Sequence, residues 1–334
     1  MVERLFGDRR CAQNRRNIVS SVGNKPVILV TGADLAVQAL TLLADFEIVY
    51  AGKTPQLADV AALAKQHDPV GIIVRYSGVN AEVMDAAPAL KVISKHGSGT
   101  DTIDKDAAAA RGIAVKAAVG ANAAAVAEQA LAMLLGCAKS TVPLNERMHS
   151  GHWDKATHKS MELGGKTIGL VGLGAIGQRF AKMVDAMGMR VLGFDPWARN
   201  LPDYIQAVDL ETIWRESDAI SLHCPLTPEN KQLINVETLA QCKLGVIFVN
   251  TARGGLVDEP ALLAAVQSGQ VGMAALDSFA IEPMTTPHIF HGQKGFILSP
   301  HIGGVTSDAY INMGVGAAKN IVDVLNASMQ KTEV

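Results

Sequence analysis

Residues 167–195 read TIGLVGLGAIGQRFAKMVDAMGMRVLGFD, a stretch that joins two apolar runs through a glycine-rich turn. The first run, 167–171, is rich in β-formers and leads directly into the pattern Gly-x-Gly-x-x-Gly. A helical pattern follows, and the second apolar run ends on Asp195. This order of strand, turn, helix and strand is typical of a unit that binds a dinucleotide.

Each part of the turn has a physical role in that interpretation. Gly172 permits the tight turn out of the strand, Gly174 lets the backbone approach a pyrophosphate, and Gly177 lets the helix pack against the sheet. The free amides of the first helical turn, near Ala175 and Ile176, are expected to face the phosphates at the positive end of the helix dipole.

Asp195 follows Gly177 at close to the offset of about 20 residues expected for a carboxylate that accepts from the adenosine ribose hydroxyls. A carboxylate at this place repels a 2′-phosphate, so the predicted cofactor is NAD rather than NADP. A bare glycine motif is weak evidence, but here both strands, the helix and the acid accompany it.

The chain has 334 residues, 49% of them hydrophobic, and is long enough for two domains with substantial cores. Its 30 lysines and arginines nearly balance 32 aspartates and glutamates, leaving a net charge of −2. Without a basic surplus, neither a nucleic acid nor an anionic membrane is predicted as a partner. The most apolar helical stretch, 123–138, is interrupted by Glu128 and Gln129 and is too short to span a membrane.

The cysteines are scattered, with no CxxC pair and no Cys/His cluster at zinc spacing, so no metal site is predicted. This pattern favours a reducing cytoplasm. Residues 1–25 contain several arginines but no apolar core for a secretory signal, and we interpret them as an N-terminal extension.

Short apolar runs alternate with helical segments along the rest of the chain, which predicts parallel sheets built from βαβ units. The predicted fold class is α/β, with two doubly wound parallel-sheet domains and a cleft between them. A Rossmann NAD-binding domain is predicted over 121–304. A smaller, flavodoxin-like substrate domain is predicted over 26–120 and 305–334, because the last helix, 306–325, is expected to cross back. The polar stretch 148–159 is predicted to be a loop or arm.

Polar residues follow several strands of the predicted dinucleotide domain and are therefore expected to face one cleft. Arg253 would bind a substrate carboxylate with two parallel hydrogen bonds. His301 would exchange a proton with the carbonyl oxygen, and Glu282 would orient and charge the imidazole. Each residue alone is more often a surface charge, a turn residue or a structural histidine. Their joint position behind a dinucleotide motif favours the functional interpretation.

The loop 94–101, SKHGSGTD, follows a strand of the first domain. Its glycines allow consecutive amides to form an anion nest, so we predict that Ser98 and Gly99 contact the substrate carboxylate and that Lys95 adds charge. The alternative is an ordinary turn in which Asp101 or Thr102 caps the next helix.

Several motifs together resemble the D-isomer-specific 2-hydroxyacid dehydrogenases: HGSGTDTID, GLGAIG, HCPLT, NTARGGLVDEPAL, LDSFAIEP and SPHIGG, in this order. The resemblance implies the same catalytic set and a homodimer formed through the segment around 121–165. The predicted cofactor contacts are Gly172, Gly174, Ala175, Ile176, Gly177, Asp195, Pro196, His223, Cys224, Pro225, Thr251, Ala252, Arg253, Asp277, His301, Gly303 and Gly304.

The chain also departs from the pattern of this family. Lys95 and His96 stand where many members have Arg-Ala, and Gln129 stands where His is common. These changes leave the choice of 2-hydroxy acid open. Lys95, together with Arg75, is expected to contact the substrate and would suit a second anionic group, but plain glyoxylate or hydroxypyruvate fits as well.

Two alternatives within the same fold are an NAD-sensing transcriptional corepressor and a formate dehydrogenase. The corepressor keeps the catalytic set, so only turnover separates it from a dehydrogenase. The formate dehydrogenase pairs its histidine with glutamine, and Glu282 argues against it.

Overall fold

The structure is a computed structural model that describes residues 25–284 and 287–330. The N-terminal extension predicted over 1–25 lies outside the described residues except for Lys25. Two parallel sheets with helices on both faces make up the described chain, so the predicted fold class is confirmed.

The first lobe is built on a five-stranded parallel sheet with the order β2-β1-β3-β4-β5. Its buried strands read as short runs of Val, Ile and Leu, as expected for strands covered on both faces. The elements are β1 (Val27–Val30), α1 (Val37–Leu42), β2 (Glu47–Tyr50), α2 (Leu57–His67), β3 (Gly71–Val74), α3 (Ala81–Asp85), β4 (Val92–Lys95), α4 (Lys105–Ala110) and β5 (Ala114–Ala117).

The second lobe is built on a seven-stranded parallel sheet with the order β12-β11-β10-β9-β6-β7-β8. Two helices, α5 (Ala123–Lys139) and α6 (Thr141–His149), lead into it. The remaining elements are β6 (Thr167–Val171), α7 (Ala175–Ala186), β7 (Arg190–Phe194), β8 (Ile205–Ala207), α8 (Leu210–Glu216), β9 (Ala219–Leu222), α9 (Val236–Gln241), β10 (Val246–Asn250), α10 (Glu259–Ser268), β11 (Val271–Leu276), β12 (Phe296–Leu298) and α11 (Ser307–Gln330).

Strand order in the second lobe reverses at β6, which pairs with β7 on one side and β9 on the other. The loops that leave β6 and β9 therefore diverge and open a crevice at the carboxyl edge of the sheet, where ligands bind in folds of this type. Gly172 and His223 are the first residues of these two loops. The glycine-rich turn is thus placed at the switch point of the sheet.

The last helix, α11, belongs to the core of the first lobe although it follows the last strand of the second. Ala317, Ala318 and Ile321 are fully buried against one face of the five-stranded sheet. Ile321 reaches β3 at Gly71, where an added Cβ would lie 3.0 Å from its Cδ1 atom. The helix therefore covers an apolar face that the first half of the chain leaves open.

Some elements differ from their predicted bounds. The fourth strand, Val92–Lys95, includes the first two residues of the loop predicted over 94–101, because the sheet continues through the buried Ser94 into Lys95. Helix α6 ends at His149, so the first two residues of the predicted arm 148–159 are helical. Across residues 25–284 and 287–330, every helix is too short or too polar to cross a membrane.

Replacing Ile321 with Ala is expected to destabilise the first lobe by about 2–5 kcal/mol, because it leaves a cavity between α11 and the sheet. Urea unfolding followed by circular dichroism measures the change. Asn326→Ala, on an exposed position of the same helix, is the matched control and should shift stability by less than about 0.5 kcal/mol. Equal effects of the two changes would contradict the packing of α11 described here.

Candidate active site

The carboxyl edges of the two sheets face each other, and polar side chains from both lobes meet there. Arg253 follows β10 and hydrogen-bonds Asp101, which follows β4 in the other lobe. Glu282 and His301, which follow β11 and β12, also contact each other. The structure therefore brings the predicted residues Arg253, Glu282 and His301 from three strand ends of one sheet to this edge, as parallel strands require, and places Asp101 of the other lobe against Arg253.

His301 and Glu282 form a tight ion pair, with 2.6 Å between Nδ1 of the imidazole and Oε2 of the carboxylate. The carboxylate makes Nδ1 the donor, so Nε2 is left without a hydrogen-bond partner among the described residues. The hydrogen bond that His301 donates to Glu282 raises the pKa of His301 above its ordinary value, although burial opposes it. This imidazole therefore stays protonated to a higher pH than a free histidine.

Burial alone would raise the pKa of Glu282, but hydrogen bonds from His301 and from the Phe279 amide outweigh it and lower that pKa. Oε1 accepts from the Phe279 N–H at 2.9 Å while Oε2 accepts from the imidazole. With one oxygen fixed by backbone, the other presents a constant position to His301. Glu282 is thus an ionised and oriented partner for the ring.

The loop that carries His301 is held by the buried carboxylate of Asp277. Its Oδ2 accepts from the Gly303 amide at 2.8 Å, and its Oδ1 accepts from the Ile302 amide at 2.9 Å and from the Ser299 hydroxyl. His301 itself has a φ of +54°, in the left-handed region that non-glycine residues rarely adopt. Asp277 therefore maintains a strained backbone that aims the imidazole.

Arg253 spans the cleft between the lobes. Its Nε and Nη2 atoms lie 3.0 and 2.9 Å from the same oxygen, Oδ2 of Asp101, and its Nη1 donates to the carbonyl of Ala252 at 2.7 Å. The guanidinium lies directly over Gly99, where an added Cβ would be 1.8 Å from Nη2. Asp101 was predicted only as a possible helix cap, whereas the side chain that caps α4 is that of Asp104.

The end of β4 and the loop after it contribute two further predicted residues. The half-buried ammonium of Lys95 donates to the carbonyl of Arg75 at 3.0 Å, and burial together with the nearby Arg253 lowers the pKa of Lys95 to about 8. The Ser98 hydroxyl donates to Oδ1 of Asn122 at 3.2 Å. His96 is buried against the ring of Tyr310, and burial lowers the pKa of His96 to about 4, so this ring is neutral at pH 7.

Arg75 is already engaged by its own lobe. Its guanidinium pairs with Asp34, donates to the Tyr76 hydroxyl at 3.0 Å, and lies 4.9 and 5.1 Å from the ring centres of Tyr76 and Tyr310. The Tyr310 hydroxyl donates to the same Asp34 carboxylate at 2.8 Å. The charge of Arg75 is therefore largely balanced within this group. Asp34 and Tyr310 carried no signal in the sequence, because their partners are distant along the chain.

The glycine-rich turn is shaped by close contacts on one side and open space on the other. A Cβ on Gly172 would lie 2.6 Å from the Cys224 amide nitrogen, and one on Gly177 would lie 2.1 Å from the Gly172 carbonyl oxygen. No atom lies within 4 Å of the position that a Cβ of Gly174 would take. Gly174 and Ala175, at the start of α7, are exposed. The turn therefore offers an open cradle lined with backbone amides, which fits a pyrophosphate.

Asp195 is held by three backbone amides at the end of β7. Oδ2 accepts from Leu173 at 2.8 Å, and Oδ1 accepts from Trp197 at 2.8 Å and from Ala198 at 3.1 Å. These bonds fix the carboxylate beside the glycine-rich turn, where it was expected. They also use some of the lone pairs of the Asp195 oxygens, which were expected to accept hydrogen bonds from the ribose hydroxyls.

Two predicted cofactor contacts have a buried polar atom without a hydrogen-bond partner among the described residues, Nδ1 of His223 and Oγ1 of Thr251. Buried polar groups are normally satisfied, so such atoms point to a ligand or water. Burial lowers the pKa of His223 to about 3, which keeps its ring neutral. With the open space over Gly174, these atoms fit a dinucleotide. The part of the chain that the structure describes has no cluster of His, Cys, Asp and Glu suited to a metal ion.

The other predicted contacts are on the same edge of the sheet. Cys224 and Pro225 follow His223 after β9, Ala252 is buried beside Thr251, and Pro196 follows Asp195. Gly303 and Gly304 belong to the His301 loop, and a Cβ on Gly304 would lie 2.8 Å from the Asn122 amide nitrogen Nδ2. Ile176 is half-buried in the first turn of α7.

Residues 131–303 match the family model described as the D-isomer specific 2-hydroxyacid dehydrogenase, NAD binding domain. This match covers half of the chain and contains the glycine-rich turn, Arg253, Glu282 and His301. The chain belongs to the D-isomer-specific 2-hydroxyacid dehydrogenases. An NAD-dependent dehydrogenase family and an NAD cofactor were expected from the sequence, and both are confirmed.

The relatives include a hydroxypyruvate reductase of Thermotoga maritima, 41% identical over 73% of this chain and 80% of its own length. A D-3-phosphoglycerate dehydrogenase of Mycobacterium leprae is 38% identical over 89% of this chain. The chain spans 56% of the length of that relative. Among solved structures, the TT0316 protein from Thermus thermophilus matches with a TM-score of 0.83 and 35% identity, over 90% of this chain and 97% of its own.

Two glycine substitutions in and beside α7 are expected to affect different properties, one NAD binding and the other stability. Gly174→Ala places a methyl group in open space, so it should cost no more than about 1 kcal/mol of stability while strongly weakening NAD binding. Gly177→Ala, which usually favours a helix, should instead destabilise the second lobe by about 1–3 kcal/mol through its contact with Gly172. Thermal unfolding measures the stability of each variant, and NADH titration measures its affinity for the cofactor. Full NADH affinity in Gly174→Ala would refute the assignment of the glycine-rich turn as the pyrophosphate site.

Glu282→Gln should lower the pKa of His301, because the carboxylate raises that pKa and the remaining burial acts in the other direction. NMR titration of the histidine ring signals measures the pKa of His301, and the signal that is missing in His301→Asn identifies its resonance. An unchanged pKa in Glu282→Gln would contradict the coupling between the two residues.

Proposed function

We propose that the chain interconverts a small D-2-hydroxy acid and its 2-oxo acid by hydride transfer with NAD. The observation that carries the proposal is the ionised pair of Glu282 and His301, placed at the same sheet edge as Arg253 and the glycine-rich turn. NAD supplies the hydride when it is bound. The protein residues position the acid and exchange the proton.

Arg253 binds the substrate carboxylate in this proposal. A guanidinium has five N–H donors; in Arg253 the Nε donor bonds Asp101 and one Nη1 donor bonds Ala252, which leaves one N–H on Nη1 and two on Nη2. Two parallel N–H groups match the two oxygens of a carboxylate. The exposed loop around Ser98 and Gly99 lies next to the guanidinium and would complete this subsite with backbone amides.

His301 acts as the general acid in reduction and the general base in oxidation. Nδ1 is bonded to Glu282, so the proton that moves is the one on Nε2. Reduction of the oxo acid requires the imidazolium and should slow as the pH rises through the pKa of His301. Oxidation requires the neutral ring and should speed up over the same range. Since Glu282 raises that pKa, both changes are displaced above the ordinary histidine range.

The charges around Arg253 favour substrates with a single carboxylate. Arg75 is paired with Asp34, so it has little free charge for a phosphate, and Lys95 is a half-buried cation near Arg253. We infer that glyoxylate and hydroxypyruvate are reduced in preference to phosphorylated oxo acids. The similarity to the hydroxypyruvate reductase of Thermotoga maritima supports this choice.

We also propose that two copies of the chain form a homodimer through the segment around 121–165, and that the protein acts in the cytoplasm. Support for the dimer comes from large apolar side chains on α6 and the following arm, where Trp153, Met148 and Val142 are 76%, 52% and 44% exposed. Several large apolar side chains exposed on one segment are the kind of surface that a second copy of the chain would cover. The free thiols of Cys137, Cys224 and Cys242 suit a reducing compartment.

NADH oxidation with a panel of 2-oxo acids, including phosphorylated and sulfonated members, tests the proposal. We expect turnover with a small unphosphorylated acid, and His301→Asn should lower kcat by at least about 100-fold with NADH binding intact. Absence of turnover across the panel would favour the corepressor alternative. Near-normal turnover of His301→Asn would refute the proposed role of the imidazole.

A further inference from the structure

Asp101 contacts Arg253 across the cleft, and the two lie 152 positions apart in the chain. They belong to loops of different lobes, one after β4 and one after β10. One oxygen of the aspartate accepts from Nε and lies 2.9 Å from Nη2 as an ion-pair contact, so it occupies the side edge of the guanidinium. The opposite end keeps at least one unbonded N–H on each terminal nitrogen and is left for a ligand.

We propose that Asp101 is a positioning residue, which fixes Arg253 so that this terminal edge faces the substrate carboxylate. The inference rests on the proposed function, in which Arg253 binds the carboxylate. Without Asp101 the guanidinium can rotate and offer its side edge, at a different angle and distance from His301. Asp101 therefore contributes to substrate affinity although it carries the same sign of charge as the substrate.

The surrounding backbone is adapted to this pair. Gly99 lies beneath it, and an added Cβ would be 1.8 Å from Nη2 of Arg253 and 2.9 Å from Oδ2 of Asp101. The Ala252 carbonyl holds the third nitrogen at 2.7 Å. All three guanidinium nitrogens are thus held by protein oxygens before any substrate binds.

The charges beside Arg253 set this proposal against a simple competitor model. Arg253, Lys95 and Asp101 together carry one net positive charge, which a single substrate carboxylate neutralises. A simple competitor model makes the opposite prediction, because an aspartate that must leave Arg253 before the substrate binds would weaken affinity. The sign of the effect of its removal therefore separates the two models.

The test is Asp101→Asn, measured as KM and kcat with the best acid of the panel. Loss of the charged hydrogen bonds should raise KM by about tenfold and change kcat by less than about twofold. Asp85→Asn is a matched control, because the Arg111–Asp85 pair has side-chain exposures of 31% and 63%, against 32% and 58% for Arg253–Asp101. It should leave both constants unchanged.

Arg253→Lys provides the second arm. Lysine cannot reproduce the planar side edge of the guanidinium that Asp101 contacts, so adding Asp101→Asn to Arg253→Lys should raise KM by less than about twofold further. A lower or unchanged KM in Asp101→Asn, or a full tenfold effect in the Arg253→Lys background, would overturn the inference. An Arg253→Lys variant with the wild-type KM would instead overturn the proposed function.

Discussion

The geometry of the candidate site depends on the carboxylate of Asp277, buried where β11 ends. It accepts hydrogen bonds from three residues of the loop after β12 and holds His301 in a left-handed backbone conformation. Such a conformation costs of order 1–3 kcal/mol and persists only when its surroundings enforce it. Ser299 extends this network to Gln129 on α5, at 3.3 Å. The position of the His301 imidazole thus depends on a hydrogen-bond network that extends to helix α5.

Close backbone contacts set the other side of the site. A Cβ on Gly254 would lie 1.8 Å from the carbonyl carbon of Phe279, so the loops after β10 and β11 touch through their main chains. One loop carries Arg253 and the other carries Glu282. Because no side chain fits between the two loops, the distance between them is fixed by main-chain contact rather than by flexible side chains.

Sequence reasoning recovered the features that follow from local pattern. Alternating strands and helices indicate two parallel sheets, and parallel strands bring their carboxyl ends to one edge. This is why Arg253, Glu282 and His301 could be placed together before any distances were available. The roles assigned to individual residues remain predictions.

The rest depends on contacts between distant segments. The ion pairs of Arg75 with Asp34 and of Arg253 with Asp101 join residues that share no periodic pattern, so Asp101 was considered only as a cap. The end of β4 was misplaced for a related reason. Its last residues are polar, since the buried Ser94 accepts a hydrogen bond from Asn320 of α11 and Lys95 lies near Arg253, and a search for apolar runs ends the strand at Ile93. Hydrophobic patterns are weakest where polar residues approach a site.

The path of the chain through the first lobe has a consequence for synthesis on the ribosome. Strands β1 and β3 leave the ribosome early, but α11, which covers Ile28 and Ile73, is made only after the whole second lobe. Throughout that interval one face of the nascent sheet exposes apolar surface, the kind of surface that promotes aggregation and chaperone binding. Translation of the amino-terminal half therefore does not suffice for its folding, and the lobe that begins first is completed last.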